Sequence, residues 1–193
     1  MESHLNIYIS SKNSEKRIYP VNIEKLTEPN KNDNSIVKIN KSIERQTLLG
    51  FGGSFTEASS SIYSGLDIDK KEEIIEAYFG ASGNRYSMAR THINSCDFSL
   101  ENYAHVEAAG DRELKTFSIS RNKKTLIPFI KDALKKTKNK IQIMASPWSP
   151  PAWMKTNDQM NFGGKINEEH KESWANYYCK FIEHYQAEKI PIW

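Results

Sequence analysis

From residue 48 onward the hydrophobic pattern changes period at regular intervals. Short apolar or glycine-rich runs at residues 48–55, 85–93, 141–145 and 190–193 alternate with longer stretches whose apolar positions recur at helical spacing. In residues 68–79, Ile68, Ile74, Ile75, Tyr78 and Phe79 fall near one stripe. Asp69 and Glu72 sit in the early turns and Gly80 follows as a stop, so this stretch predicts a helix. Residues 124–136 predict a second helix through Leu126, Ile127, Phe129, Ile130, Ala133 and Leu134, with Pro128 near the first turn, where proline is tolerated. Residues 168–188 predict a third, whose Trp174, Tyr177, Tyr178, Phe181, Ile182 and Tyr185 form an aromatic stripe suited to a core. Before residue 48 the pattern differs: residues 5–10, 17–23 and 35–43 are β-rich runs separated by turn residues, with a rough period of two, and predict antiparallel strands covered on one face.

Strands alternating with helices imply a parallel sheet built from right-handed crossovers. Three strand–helix units and the start of a further strand match a (β/α)₈ barrel cut short, because a whole barrel takes about 250 residues. An open α/β sheet is the alternative. The 193 residues, 38% of them hydrophobic and without a low-complexity segment, place the chain in the globular class. Lysine and arginine number 27 against 24 acidic residues, a net charge of +3. The densest basic group, Lys135, Lys136, Lys138 and Lys140, closes a predicted helix, where cations favour the dipole; it reads as a solvated face rather than a nucleic-acid patch. Cys96 and Cys179 are too few for a disulfide framework. No apolar run approaches the roughly 20 residues of a membrane span and the first 20 residues carry no signal-peptide core, so the expectation is a soluble chain, cytoplasmic by default.

Candidate chemistry gathers at three strand ends. The run Ala145-Ser-Pro-Trp-Ser-Pro-Pro-Ala-Trp-Met-Lys-Thr-Asn157 breaks a strand into a loop stiffened by Pro147, Pro150 and Pro151. Its indoles, Trp148 and Trp153, either bind a ligand or plug a barrel end; Met154 beside Trp153 favours packing there. Arg90 and Asp97 stand at and beyond the end of the preceding strand, and Glu57 beyond the first; in a barrel such ends converge on one mouth. An aspartate and an arginine beside an exposed indole suit a sugar, since carboxylates accept hydroxyl protons and an aromatic face covers the apolar side of a pyranose. A loop cap for Asp97 and a buried ion pair for Arg90 stand open beside that reading. The glycines of Leu49-Gly-Phe-Gly-Gly-Ser-Phe-Thr-Glu-Ala58 lack the third glycine of a dinucleotide fingerprint, and Gly50, Gly52 and Gly53 instead suit close backbone packing. His92 and Cys96 have no third ligand at metal spacing, and no metal or cofactor is expected; His105, His170 and His184 read as surface or helix residues. There is no Gly-x-Ser-x-Gly elbow and no Walker loop.

Leu49–Ala58, Arg90-Thr-His-Ile-Asn-Ser-Cys-Asp-Phe-Ser99 and Ala145–Asn157, in that order, together resemble the glucosylceramidase-like enzymes of glycoside hydrolase family 30. The resemblance covers residues 48–193. It implies an α/β fold, the N-terminal part of a (β/α)₈ TIM barrel cut in its fourth strand, with residues 1–47 as N-terminal strands of an accessory β-sandwich. It implies that Asp97 and Trp148 bind substrate in the subsite before the scissile bond and that Arg90 braces the nucleophilic carboxylate. Glu57 stands where many relatives carry aspartate, at a position that reads as structural. The family's acid/base and nucleophile glutamates fall beyond Trp193, so no catalytic residue is expected in this chain, and the fragment alone is expected to be inactive. The implied substrate is a β-linked glycoside, glucosylceramide or a β-glucan or β-glucoside; reconstitution with a separately encoded C-terminal half is a further alternative. A non-catalytic carbohydrate-binding or partner-dependent remnant is the alternative.

Overall fold

The computed structural model describes residues 6–21 and 40–193. By their contacts the residues divide into two compact units, Met1–Thr47 and Leu48–Trp193. In the first, β1 (Ile7–Ile9) pairs antiparallel with β2 (Tyr19–Val21), and neither strand holds a buried side chain. The expected strand at residues 35–43 lies outside the described residues up to residue 39, and Asn40 to Ile43 form a turn rather than a strand.

The second unit runs β3 (Gly52–Ser54), α1 (Glu57–Ser64), α2 (Ile68–Phe79), β4 (Met88–Ile93), α3 (Leu126–Lys136), β5 (Gln142–Pro147) and α4 (Lys171–Ala187). The three strands are parallel and lie in chain order, β3-β4-β5. Ile192 adds a parallel bridge to Ile143, and the Trp193 N–H donates to the Ile143 carbonyl at 2.8 Å, so the segment expected as a strand at 190–193 lies where a fourth strand would pair. The described residues form no closed barrel; they form an open parallel sheet with its helices.

Local chemistry explains the boundaries. Asp67 accepts the Lys70 N–H at 2.8 Å to start α2, and the Gly80 N–H donates to the Glu76 carbonyl at 2.9 Å to close it. Thr56 and Ser59 form a reciprocal capping box on α1. Gly52 is required by close approach: a Cβ there would sit 1.6 Å from the Met88 carbonyl oxygen, inside the neighbouring strand. The core joins the sheet face of Ala89, Ile93 and Ile143 to Phe55, Tyr63, Ile75, Phe129, Ile130 and Ala133. On α4 the aromatic stripe divides: Tyr177, Phe181 and Tyr185 are fully buried, while Trp174, Tyr178 and Ile182 sit half-buried at its border.

One histidine departs from the expectation of surface or helix placement. His170 meets it, in the one-turn 3₁₀ helix Glu168–His170, although it is buried beneath the Trp153 ring. His105 lies in the long segment between β4 and α3, not on a helix, and is buried among Tyr103, Phe117, Tyr177 and Phe181. That segment supplies core of its own, Tyr103, Val106, Leu114, Phe117 and Ile119, because with so many apolar residues it folds inward instead of lying on the surface.

Burial, reinforced by nearby His92 and His184, pushes the His105 imidazole from 6.5 down to about 3, although the Ser118 carbonyl at 3.1 Å from Nδ1 works in the opposite direction. Its proton is therefore taken up by the unfolded chain below pH 6.5 but not by the folded one, so stability falls with pH from there toward about 3. Between pH 6.5 and 5, above the ordinary carboxylate range, the loss should be about 2 kcal/mol for this residue. Urea midpoints measured at those two pH values should diverge less in His105→Phe than in the parent; an undiminished divergence would place the responsible proton elsewhere.

Candidate functional site

β4 and β5 end together, Ile93 opposite Pro147, and both chains turn away at that edge. Asn94 makes the first turn. It sits at φ 62°, a left-handed conformation that asparagine tolerates better than most residues, and its side chain is fully buried. Its Oδ1 accepts the Tyr177 hydroxyl at 2.5 Å and the His105 N–H at 3.0 Å, while its Nδ2 donates to the Ser149 carbonyl at 2.9 Å. One side chain thus ties the end of β4, the loop after β5, the long segment and α4 to each other.

Beyond Asn94 the chain makes a tight turn. The Cys96 N–H donates to Ser99 Oγ at 3.0 Å, and the Ser99 N–H returns to the Cys96 carbonyl at 2.9 Å. Asp97 projects from that turn, exposed, and among the described residues nothing hydrogen-bonds its carboxylate. A capping role for Asp97 is therefore not what the turn uses; Ser99 supplies the cap. Trp148 follows β5 at once and is 42% exposed. The Arg90 guanidinium lies over its ring, 5.5 Å from the centroid, a cation–π contact from the middle strand of the sheet. Arg90 alternates with the core-facing Ala89 and Thr91 and so belongs to the sheet face turned away from the helices. Asp97 and Trp148 line one cleft of about 670 Å³ together with Ser95, Glu101, Met160 and Phe162. Arg90 meets that cleft through the indole.

Glu57 is buried at the start of α1 and stays out of the cleft. Its carboxylate takes Arg121 Nε at 2.6 Å on one oxygen and the Leu100 N–H at 2.9 Å on the other, which fastens the loop behind Asp97. The same guanidinium reaches Glu101 at 2.8 Å and lies 4.3 Å from the Tyr103 centroid. The Glu57 position is structural, and its partner Arg121 carried no signal in the sequence. Lys155, unlike the half-buried Arg121, is a buried cation. Its Nζ donates to the Met160 carbonyl at 3.0 Å and to Ser149 Oγ at 3.3 Å, and burial alone pulls its pKa down. Trp153 packs instead of binding, its Nε1–H bonded to the Val106 carbonyl at 3.1 Å and its ring against the core.

His92 is buried, and desolvation pulls its pKa below the usual imidazole value; its Nδ1 donates to the Asn94 carbonyl at 2.6 Å. Among the described residues no three histidine, cysteine or acidic side chains cluster as a metal site would need. No described helix is long and apolar enough to cross a membrane. What the cleft offers is a free carboxylate and an exposed indole backed by a guanidinium, groups that can accept hydrogen bonds from hydroxyls and cover the apolar face of a ring.

Known proteins share both sequence and fold with this unit. The glycosyl hydrolase family 30 TIM-barrel domain matches residues 48–193. Putative glucosylceramidase 3 of Caenorhabditis elegans is 37% identical over 167 residues, covering 85% of this chain and 32% of its own. The lysosomal acid glucosylceramidase of Mus musculus is 33% identical over 153 residues, covering 77% and 30%. Among solved structures, SrfJ from Salmonella typhimurium superposes with a TM-score of 0.73 at 41% identity, covering 76% of this chain and 33% of its own. An endo-β1,6-glucanase superposes at 0.70 with 26% identity, covering 79% and 35%. The chain spans about a third of the length of the curated relatives it matches.

Proposed function

Because the chain belongs to glycosyl hydrolase family 30, and its residues 48–193 are the N-terminal part of that family's TIM barrel, we propose that it serves the retaining hydrolysis of a β-glucoside. The substrate is glucosylceramide or a β-glucan or simple β-glucoside, in keeping with glucosylceramidases and a glucanase among the proteins it resembles. The observation that carries this reading is the shared cleft of Asp97 and Trp148 at the C-terminal ends of parallel strands, where barrel enzymes hold their substrates. Asp97 accepts protons from the hydroxyls of the sugar before the scissile bond. Trp148 covers the ring's apolar face, and Arg90, stacked behind the indole, braces the nucleophilic carboxylate.

Retaining hydrolysis needs an acid/base and a nucleophile carboxyl about 5–5.5 Å apart. In this reading both glutamates come from the part of the family's length that residues 1–193 do not match, and these residues alone bind without turning over. The purified 193-residue chain should release no nitrophenol from an aryl β-glucoside. The barrel completed with the remaining family segment should release it, with the β-anomer of glucose appearing first by proton NMR. Turnover by the 193 residues alone, or the α-anomer first, would contradict the assignment.

A second reading, a carbohydrate-binding module that is non-catalytic or works with a separately encoded C-terminal half, draws on the same cleft, which Asp97 and Trp148 line together. It requires that the 193 residues melt cooperatively and bind a glucoside unaided. Recovery of hydrolysis on mixing the two halves would separate partner-dependent catalysis from binding alone.

A further inference from the structure

Lys155 is a buried cation without an anion. It follows the one-turn 3₁₀ helix Ala152–Met154 and is only 6% exposed. Loss of water is the one influence on its pKa, with no carboxylate acting in compensation. Its Nζ donates instead to two neutral oxygens, the Met160 carbonyl at 3.0 Å and Ser149 Oγ at 3.3 Å. For folding alone a methionine would serve as well, since it buries the same stem without an ammonium to desolvate. What the two acceptors have in common is their place: Ser149 and Met160 both line the cleft of Asp97 and Trp148, while Lys155 stands behind that lining.

The acceptors come from different stretches of chain. Ser149 follows Trp148 at the end of β5, where Asn94 already holds its carbonyl. Met160 lies in the excursion formed by residues 156–165, whose base is an antiparallel bridge between Lys155 and Ile166. The excursion is bonded to itself. The Thr156 N–H donates to the Lys165 carbonyl at 2.8 Å, and Asn157 Nδ2 lies 3.2 Å from the Asn161 carbonyl and 3.4 Å from those of Phe162 and Gly163. Its tip, Met160, Asn161 and Phe162, reaches the cleft. Among the described residues, the Lys155 ammonium is the one hydrogen-bonded link from that tip to the strand end that carries Trp148. We infer that Lys155 is a positioning residue: its ammonium ties the tip of the excursion to Ser149 and holds that wall of the cleft beside Trp148 before a sugar arrives. This rests on the sugar-binding reading of Asp97 and Trp148 and adds what keeps their cleft in shape. Without the tie the excursion stays closed on itself but turns about its base, and the complete cleft exists for only part of the time. A binding-competent fraction of about one in ten weakens the apparent affinity about tenfold.

Lys155→Met keeps the stem and removes the ammonium. In NMR titrations of the intact protein, this variant should bind methyl β-glucoside about tenfold more weakly than the parent. Its melting midpoint should stay within about 3 °C of the parent's, because an unpaired buried ammonium gives little to stability. Chymotrypsin should cut after Phe162, 89% exposed on the tip, about tenfold faster in the variant, since cleavage needs the excursion to open locally. Lys155→Arg keeps a cation and donors for both oxygens and should restore most of the affinity and the resistance. Unchanged affinity in Lys155→Met overturns the inference, and so does weakened affinity without faster cutting after Phe162, which would leave the wall in place. Should Lys155→Met not melt cooperatively, the parent decides. The tie and the sugar favour the same arrangement, so saturating methyl β-glucoside must slow the cut after Phe162, and unchanged cutting overturns the inference. No binding of methyl β-glucoside by the parent overturns the reading of Asp97 and Trp148, and this one with it; binding that Lys155→Met leaves unaltered removes only the tie.

Discussion

Asn94→Ala should destabilise the Leu48–Trp193 unit by about 3–5 kcal/mol, near the top of the range for single substitutions. Three effects add. The Tyr177 hydroxyl, the His105 N–H and the Ser149 carbonyl each lose a bond to the Asn94 side chain. Leaving a buried polar group without its partner costs about 1–3 kcal/mol. The His105 N–H keeps a second acceptor in the Tyr177 oxygen at 2.7 Å and the Ser149 carbonyl is only half-buried, so the full penalty falls on the Tyr177 hydroxyl and a smaller one on Ser149. Alanine must also hold φ 62°, at about 1 kcal/mol over asparagine. Chemical denaturation of parent and variant measures the difference. Asn94→Gly, which relieves the backbone but not the bonds, should recover only the smaller share. A loss below about 1 kcal/mol in Asn94→Ala would mean that water replaces the side chain and that the four segments do not depend on it.

Asp97→Ala is the complementary case, large in binding and small in stability. The carboxylate is exposed and unbonded among the described residues, so thermal midpoints should barely move. If it holds two sugar hydroxyls, each charge-assisted bond contributes about 1.5–3 kcal/mol. After losses to competing water, methyl β-glucoside affinity should fall by roughly 30-fold or more, which takes a weak saccharide complex below detection in an NMR titration. Asp97→Asn, with half its acceptor capacity left, should lie between. Unchanged affinity in Asp97→Ala would remove the aspartate from the site, whatever Trp148 does.

The pattern of the chain revealed some of this and concealed the rest for identifiable reasons. α2 was legible to the residue because both its stops, Asp67 and Gly80, are local chemistry. α3 begins at Leu126 rather than at residue 124, and β5 runs on to Pro147 past residue 145, where it is still paired with Ile93 of β4. In β3 only Gly52–Ser54 pairs, because its glycines serve the approach of a neighbour and not a long ladder. His105 was misplaced because irregular segments have no period to mark what they bury. At the site, Asp97 and Trp148 could be brought together from sequence since parallel strand ends converge. Asn94 and Arg121 could not, because their partners are read only in space: Ser149 and Tyr177 for the first, Glu57 for the second.

Strand order in the sheet is the order of synthesis, with β3 met by β4, β4 by β5, and Ile192 already bridged to Ile143. Each pairing in this sheet closes on the strand made immediately before it, through the helix or, between β3 and β4, the two helices that lie between them in the chain. Assembly of such a run of strands is vectorial: on the ribosome each new unit has its template waiting, and only the outer edge of β3 must wait for the strand that closes a barrel. The growing edge is also the point of risk, since until its neighbour arrives it offers unpaired backbone to any other nascent chain. A stall in translation just after α4 would hold that edge open, and aggregation during synthesis should be governed by pause length there more than by the stability of the finished domain.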